Sequence, residues 1–141
     1  MNKLALLVAL PLITAFLLPL INRASAFAGR WTGPLVLVVT SVLGISLWTQ
    51  LGDNAVAVEL GGFRPPLGIT LYADRMAILF ALAVSLGTLL LWPNSGEDRV
   101  RQWTLALILA ASGSGLALSG DLFNIYVFYE LVAVVSYGLI A

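Results

Sequence analysis

From Leu4 to Asn22 the chain runs without a charged residue, and it does so again from Trp31 to Leu51, from Met76 to Trp92 and from Gln102 to Ser119. A fifth stretch, Leu122 to Ala141, carries a single charge, Glu130. The hydrocarbon core of a bilayer is about 30 Å thick and takes about 20 mostly apolar residues as a helix, the element that satisfies its own backbone N–H and C=O groups where there is no water. Five such stretches within 141 residues leave room for little besides turns and one longer linker. The expected fold is therefore an all-α membrane protein of about five transmembrane helices, at about 4–22, 31–51, 76–92, 102–119 and 122–141, forming a single transmembrane region.

The distribution of the remaining charges supports those boundaries. Apart from Glu130, every Lys, Arg, Asp and Glu lies between the apolar stretches or at their edges, where a charge avoids the few kcal/mol or more that burial in hydrocarbon costs. The tryptophans follow the same pattern, since Trp31 and Trp48 bracket the second stretch, Trp92 closes the third and Trp103 opens the fourth. Their amphipathic rings form an aromatic belt at the membrane interface. Lys3, an apolar run and Ala24-Ser25-Ala26 also fit the outline of a cleavable signal peptide, but the run exceeds the usual h-region of about 7 to 15 residues and four more spans follow it.

The short loops carry Arg23 and Arg30 in one case and Arg99 and Arg101 in another, against Lys3, Arg64 and Arg75 on the opposite side. Positive charge in short loops marks the cytoplasmic side, so the amino terminus is expected outside. The longest polar linker, Gly52 to Asp74, contains Ala55-Val56-Ala57-Val58-Glu59-Leu60 followed by Gly61-Gly62, which reads either as a short β-hairpin turning at the glycines or as an ordinary loop.

Composition narrows the chemistry. Hydrophobic residues make up 60% of the chain and charged ones 10%, against about 25% charged in a soluble globular domain. Seven basic residues balance seven acidic ones, so no basic field exists to hold nucleic acid. The absence of Cys and His removes disulfides, iron–sulfur clusters and most zinc or haem sites, and no cofactor is expected. What remains is carboxylates, hydroxyls, tyrosines and a few cations.

Among these groups most have structural explanations. Ser112, Gly113, Ser114, Gly115 and Ala117 give the fourth span a run of small residues that lets helices approach closely. Gly113-Ser114-Gly115 lacks the third glycine and the preceding strand of a dinucleotide fingerprint. Asp74 and Asp121 each stand at the start of a span, where a carboxylate accepts backbone N–H bonds as a helix cap. Glu130 has no such role. It lies nine residues beyond Asp121, about 13 Å into the bilayer at about 1.5 Å per residue, close to the midplane. Tyr126, four residues earlier, and Tyr137, seven later, share its helical face and can hydrogen-bond to it or order water beside it. Desolvation favours the protonated form of a carboxylate and a nearby cation the ionised one, so such a group suits a proton or cation relay. Lys3 is the only lysine and every Arg lies near an interface, so a cation at the midplane has to come from another chain or segment.

The run Gly120-Asp121-Leu122-Phe123-Asn124-Ile125-Tyr126-Val127-Phe128-Tyr129-Glu130, continuing to Ser136-Tyr137-Gly138, resembles the fifth transmembrane helix of the D-type subunit of Mrp-type monovalent cation/proton antiporters, a family related to the antiporter-like subunits of respiratory complex I. Gly61-Gly62-Phe63-Arg64-Pro65-Pro66-Leu67-Gly68-Ile69 and Ala73-Asp74-Arg75 resemble the hairpin loop and the start of the third helix of that family. The first two spans match by hydropathy alone. The resemblance implies that Glu130 is the family's fifth-helix glutamate, paired with a mid-membrane lysine on a later helix. Those later helices are absent here, so the chain looks like an amino-terminal portion of a longer antiporter-like subunit, or a split subunit.

The expected function is that of a membrane subunit of a multi-subunit Na⁺/proton antiporter in a prokaryotic cell membrane, a transporter subunit rather than an enzyme, with Glu130 buried in the translocation path. Its partners would be further membrane subunits, the lipid bilayer, protons and monovalent cations. Two alternatives stand beside it: a proton-pumping module of a redox complex such as a membrane hydrogenase or NADH dehydrogenase, and a membrane anchor or assembly protein in which Glu130 only packs helices.

Overall fold

The computed structural model describes residues 3–52, 54–60, 68–94 and 98–140. Five helices and a two-stranded sheet follow in the order α1 (Lys3–Ala24), α2 (Ala26–Leu51), β1 (Val56–Leu60), β2 (Ile69–Ala73), α3 (Arg75–Leu90), α4 (Arg99–Ala117) and α5 (Leu122–Ile140). This is the all-α membrane architecture expected from the sequence, and of the two readings of the linker the short hairpin is the one found. By length and apolarity α1, α2 and α5 are each able to cross a membrane, and α3 is a shorter apolar helix of 16 residues.

Local signals set the helix ends. Ser25 alone separates α1 from α2, and its Oγ accepts the Ala28 N–H as an N-cap. The helix therefore starts five residues before the charge-free stretch does, and Arg30 rides on its first turns. Asp74 caps α3, its Oδ1 accepting the Ala77 N–H at 2.7 Å. Gly52 ends α2 with φ +55°, the left-handed region that glycine enters without a Cβ clash.

The helices pack α1 against α2 and α4, α2 against α3, and α4 against α3 and α5. Their interfaces are made by small and hydroxyl residues. Thr40, Ser41, Ser85, Ser112 and Ser114 are all buried. Ser41 donates to the Leu37 carbonyl and Ser112 to the Ile108 carbonyl, so these hydroxyls find partners within their own helix. Gly29 lies so close to Asn22 of α1, and Gly33 so close to the Trp92 ring, that a Cβ at either would overlap its neighbour.

Two apolar clusters occupy the two ends of the bundle. One gathers Leu4, Leu7, Leu47, Leu51, Leu71, Ile78 and Leu118, with β2 contributing Leu71 as a plug over that end. The other gathers Leu18, Leu37, Trp92, Trp103 and Leu107. Trp92 stacks on Trp103 with ring centroids 6.3 Å apart, and Trp103 Nε1 donates to the Pro93 carbonyl at 2.6 Å.

The hairpin differs in detail from the expectation. β1 and β2 pair antiparallel with Val56 opposite Ala73 and Leu60 opposite Ile69, so the second strand begins at Ile69 rather than directly after the glycines. Gly61-Gly62, expected to form the turn, lies outside the described residues, as does the rest of the motif through Leu67.

Candidate functional site

The site is built on α5 and on the turn that leads into it. Asp121 opens the helix, with Oδ1 accepting the Asn124 N–H at 2.7 Å. Its other oxygen, Oδ2, accepts the Thr70 N–H of β2 at 2.9 Å. The backbone continues this stitching, because Gly120 donates to the Thr70 carbonyl and Tyr72 donates to the Leu118 carbonyl, each at 2.8 Å. Leu71 and Ser119 form a bridge between the same segments. The turn between α4 and α5 thus lies along the free edge of β2 as a short third strand. Gly120 permits it, since a Cβ there would come within 3.0 Å of the Thr70 carbonyl and 3.1 Å of Tyr72 Cβ. One carboxylate therefore fixes both the start of α5 and the position of the hairpin. The spacing of the sequence points to the cap, but nothing local reveals a partner 51 residues away.

From that anchor α5 runs unbroken to Ile140. Its buried residues are Asn124 and Val135, with Phe128 partly buried and its ring lying on Gly115 of α4. Gly138 meets Leu105 of α4 farther along. Residues 124, 128, 135 and 138 fall on one stripe at helical spacing, and this stripe is the face that α5 turns toward α4. Asn124 is 3% exposed and its Nδ2 has no hydrogen-bond partner among the described residues. The sequence gives no warning of that, because an Asn in the first turn reads as a capping residue.

Glu130 lies eight residues from Leu122 in a helix of 19, near its centre, about 12 Å along the axis. It is exposed, on the side of α5 turned away from α4. Tyr126 and Tyr137, 62% and 75% exposed, stand on the same side, within about 40° of Glu130 around the helix at about 100° per residue. The structure therefore brings the three expected site residues onto one face, and that face is open. The burial expected for Glu130 is not provided by the described residues of this chain. Tyr129, 60% exposed, extends the polar character to the neighbouring flank. Among the described residues there is no group of three His, Cys, Asp or Glu side chains that could hold a metal ion.

Among the described residues, five close-packed helices, with a carboxylate at the centre of the most open one and a strand-stitched turn beneath it, define a helical membrane protein, and comparison with known proteins finds it similar to antiporter-like membrane subunits. The chain is 33% identical over 147 residues to the D-type subunit of the Na⁺/H⁺ antiporter of Bacillus subtilis strain 168, covering 99% of this chain and 30% of that protein. It is 30% identical to the D-type subunit of a probable K⁺/H⁺ antiporter of Rhizobium meliloti strain 1021, covering 99% of this chain and 28% of the relative. Among solved structures, a chain of the membrane-bound sulfane sulfur reductase, an archaeal respiratory membrane complex, superposes with a TM-score of 0.87 at 27% identity, over 96% of this chain and 30% of that one. No family model matches. The resemblance to the D-type subunit of Mrp antiporters thus holds along essentially all 141 residues, and the chain spans less than a third of the length of these relatives.

Proposed function

We propose that this chain is a single transmembrane region of a longer D-type subunit in a multi-subunit monovalent cation/proton antiporter, and that Glu130 is its proton- and cation-exchanging group. The observation that carries the reading is the open face of α5. A carboxylate at the centre of an apolar helix surface is a poor neighbour for lipid, and intramembrane carboxylates normally face protein or a water-filled cavity. The proposed cover is a further membrane segment carrying a mid-span lysine, which would bury Glu130 on assembly. Alternate occupancy of one carboxylate by a proton or by a cation couples the two fluxes, because each releases the other. Na⁺ is the proposed cation on the similarity to the Bacillus protein, and the Rhizobium relative makes K⁺ the competing choice. The membrane is proposed to be the prokaryotic cell membrane, with the amino terminus outside on the distribution of loop arginines.

A second reading, a proton-pumping module of a redox complex, is favoured by the fit to the archaeal respiratory complex. Glu130→Gln keeps the size and hydrogen-bonding capacity of the side chain and removes its titration. In everted vesicles holding the complete complex, a cation pulse should drive proton flux in the native protein and none in Glu130→Gln at normal complex levels. Native flux in that variant would remove Glu130 from the path. Proton flux that follows electron donors but ignores cations would select the redox reading.

A further inference from the structure

At the end of the bundle opposite the hairpin, the turn between α1 and α2 and the first turn of α4 enclose a cleft of about 710 Å³. Arg30 from α2 and Arg99 and Arg101 from α4 line it, with Asn22 of α1 on its wall. Among the described residues that line it, three guanidiniums meet one carboxylate, Asp98, so this lining is cationic. Asp98 precedes α4 and makes no side-chain cap bond to it. The indole of Trp103, only 5% exposed, forms the apolar floor, and the Phe27 ring, 77% exposed, stands at its edge. Trp31 and Trp92 lie at this same end, which puts the cleft at the depth of the lipid headgroups.

We infer that this cleft binds the phosphate headgroup of an anionic phospholipid, with the Arg30 and Arg101 guanidiniums holding the phosphodiester and Phe27 lying along the glycerol and upper acyl chain. Guanidinium forks match phosphate oxygens in geometry as well as charge. A soluble anion would use the charge but has no use for an exposed phenyl ring at the membrane surface, and lipid supplies both. The inference needs only a membrane-spanning chain, and stands or falls independently of Glu130.

The test is native mass spectrometry of the full chain released from detergent micelles containing equal amounts of phosphatidylglycerol and phosphatidylcholine. The native chain should retain phosphatidylglycerol preferentially, and Arg30→Gln and Arg101→Gln should each reduce that preference about fivefold. Lys3→Gln, at the other end of the bundle, should leave it unchanged. Arg30→Lys with Arg101→Lys keeps the charge and should retain part of the preference, which guards against a loss caused by misfolding; circular dichroism checks helix content in each variant. Equal retention of the two lipids by the native chain would overturn the inference, as would an undiminished preference in the doubly Gln-substituted chain. Displacement of phosphatidylglycerol by inorganic phosphate at constant ionic strength would assign the cleft to a free anion and overturn the lipid assignment.

Discussion

Helices α4 and α5 have the same length, 19 residues, and lie side by side, yet they are built on opposite plans. α4 carries two arginines and a run of serines and glycines, and it buries eight residues, touching α1, α3 and α5. α5 qualifies by apolarity as a membrane-crossing helix and buries only two. In water the more apolar helix would be the buried one. In a bilayer lipid is as apolar as leucine, so close packing rather than hydrophobicity decides which helix is central, and small residues win. What α5 leaves open is then informative. Leu122, Phe123 and Ile140 suit lipid, whereas the exposed Glu130 does not.

Removing side-chain volume should separate the two helices most strongly. Leu107 of α4 is completely buried and Leu122 of α5 is 84% exposed. Leu107→Ala should destabilise the chain by about 2–5 kcal/mol, and Leu122→Ala should change stability by less than about 0.5 kcal/mol. Reversible unfolding in mixed micelles measures both, and equal losses would erase the distinction between core and open helix.

A smaller effect is expected at the seam between them. Gly115→Ala pushes a methyl into the Phe128 ring and should cost about 1–3 kcal/mol. Adding Phe128→Ala removes the ring that is struck, so the double variant should lose less than the sum of the single losses. Strict additivity would mean that α5 does not rest on α4 through this contact.

Asp121 yields the smallest change. Asn at this position can still accept from Asn124, but its amide NH₂ faces the Thr70 N–H and cannot accept from it. Asp121→Asn should therefore lose one of two bonds and cost about 1 kcal/mol, while Asp121→Leu loses both and should cost more. Hydrogen exchange at the Thr70 amide checks the assignment, because faster exchange is expected in both variants and unchanged exchange would contradict the bond.

The sequence made the helices legible because charge is so expensive in hydrocarbon that gaps between charges outline the spans. Counting from Asp121 likewise put Glu130 near the middle of the fifth helix, where α5 carries it. The hairpin was only half legible: Val56 to Leu60 alternates as a strand should, but its partner at Ile69 is set by long-range pairing across residues 61–68. The second bond of Asp121 was invisible, since its acceptor role toward Thr70 depends on the fold bringing β2 under the α4–α5 turn. The outward aim of Glu130 was equally hidden. α5 is apolar nearly all round, so its hydropathy does not say which face another helix covers, and only the Asn124, Phe128 and Val135 stripe against α4 reveals it.

The central claim is that the carboxyl of Glu130 itself exchanges a proton for a cation on the open face of α5, and infrared difference spectroscopy of the complete complex reads this directly. A cation pulse should produce a change in a carboxyl C=O band in the native complex, and that change should be missing from the Glu130→Gln complex. Identical difference spectra from the two complexes would show that the exchanging carboxyl lies elsewhere, and would contradict the account.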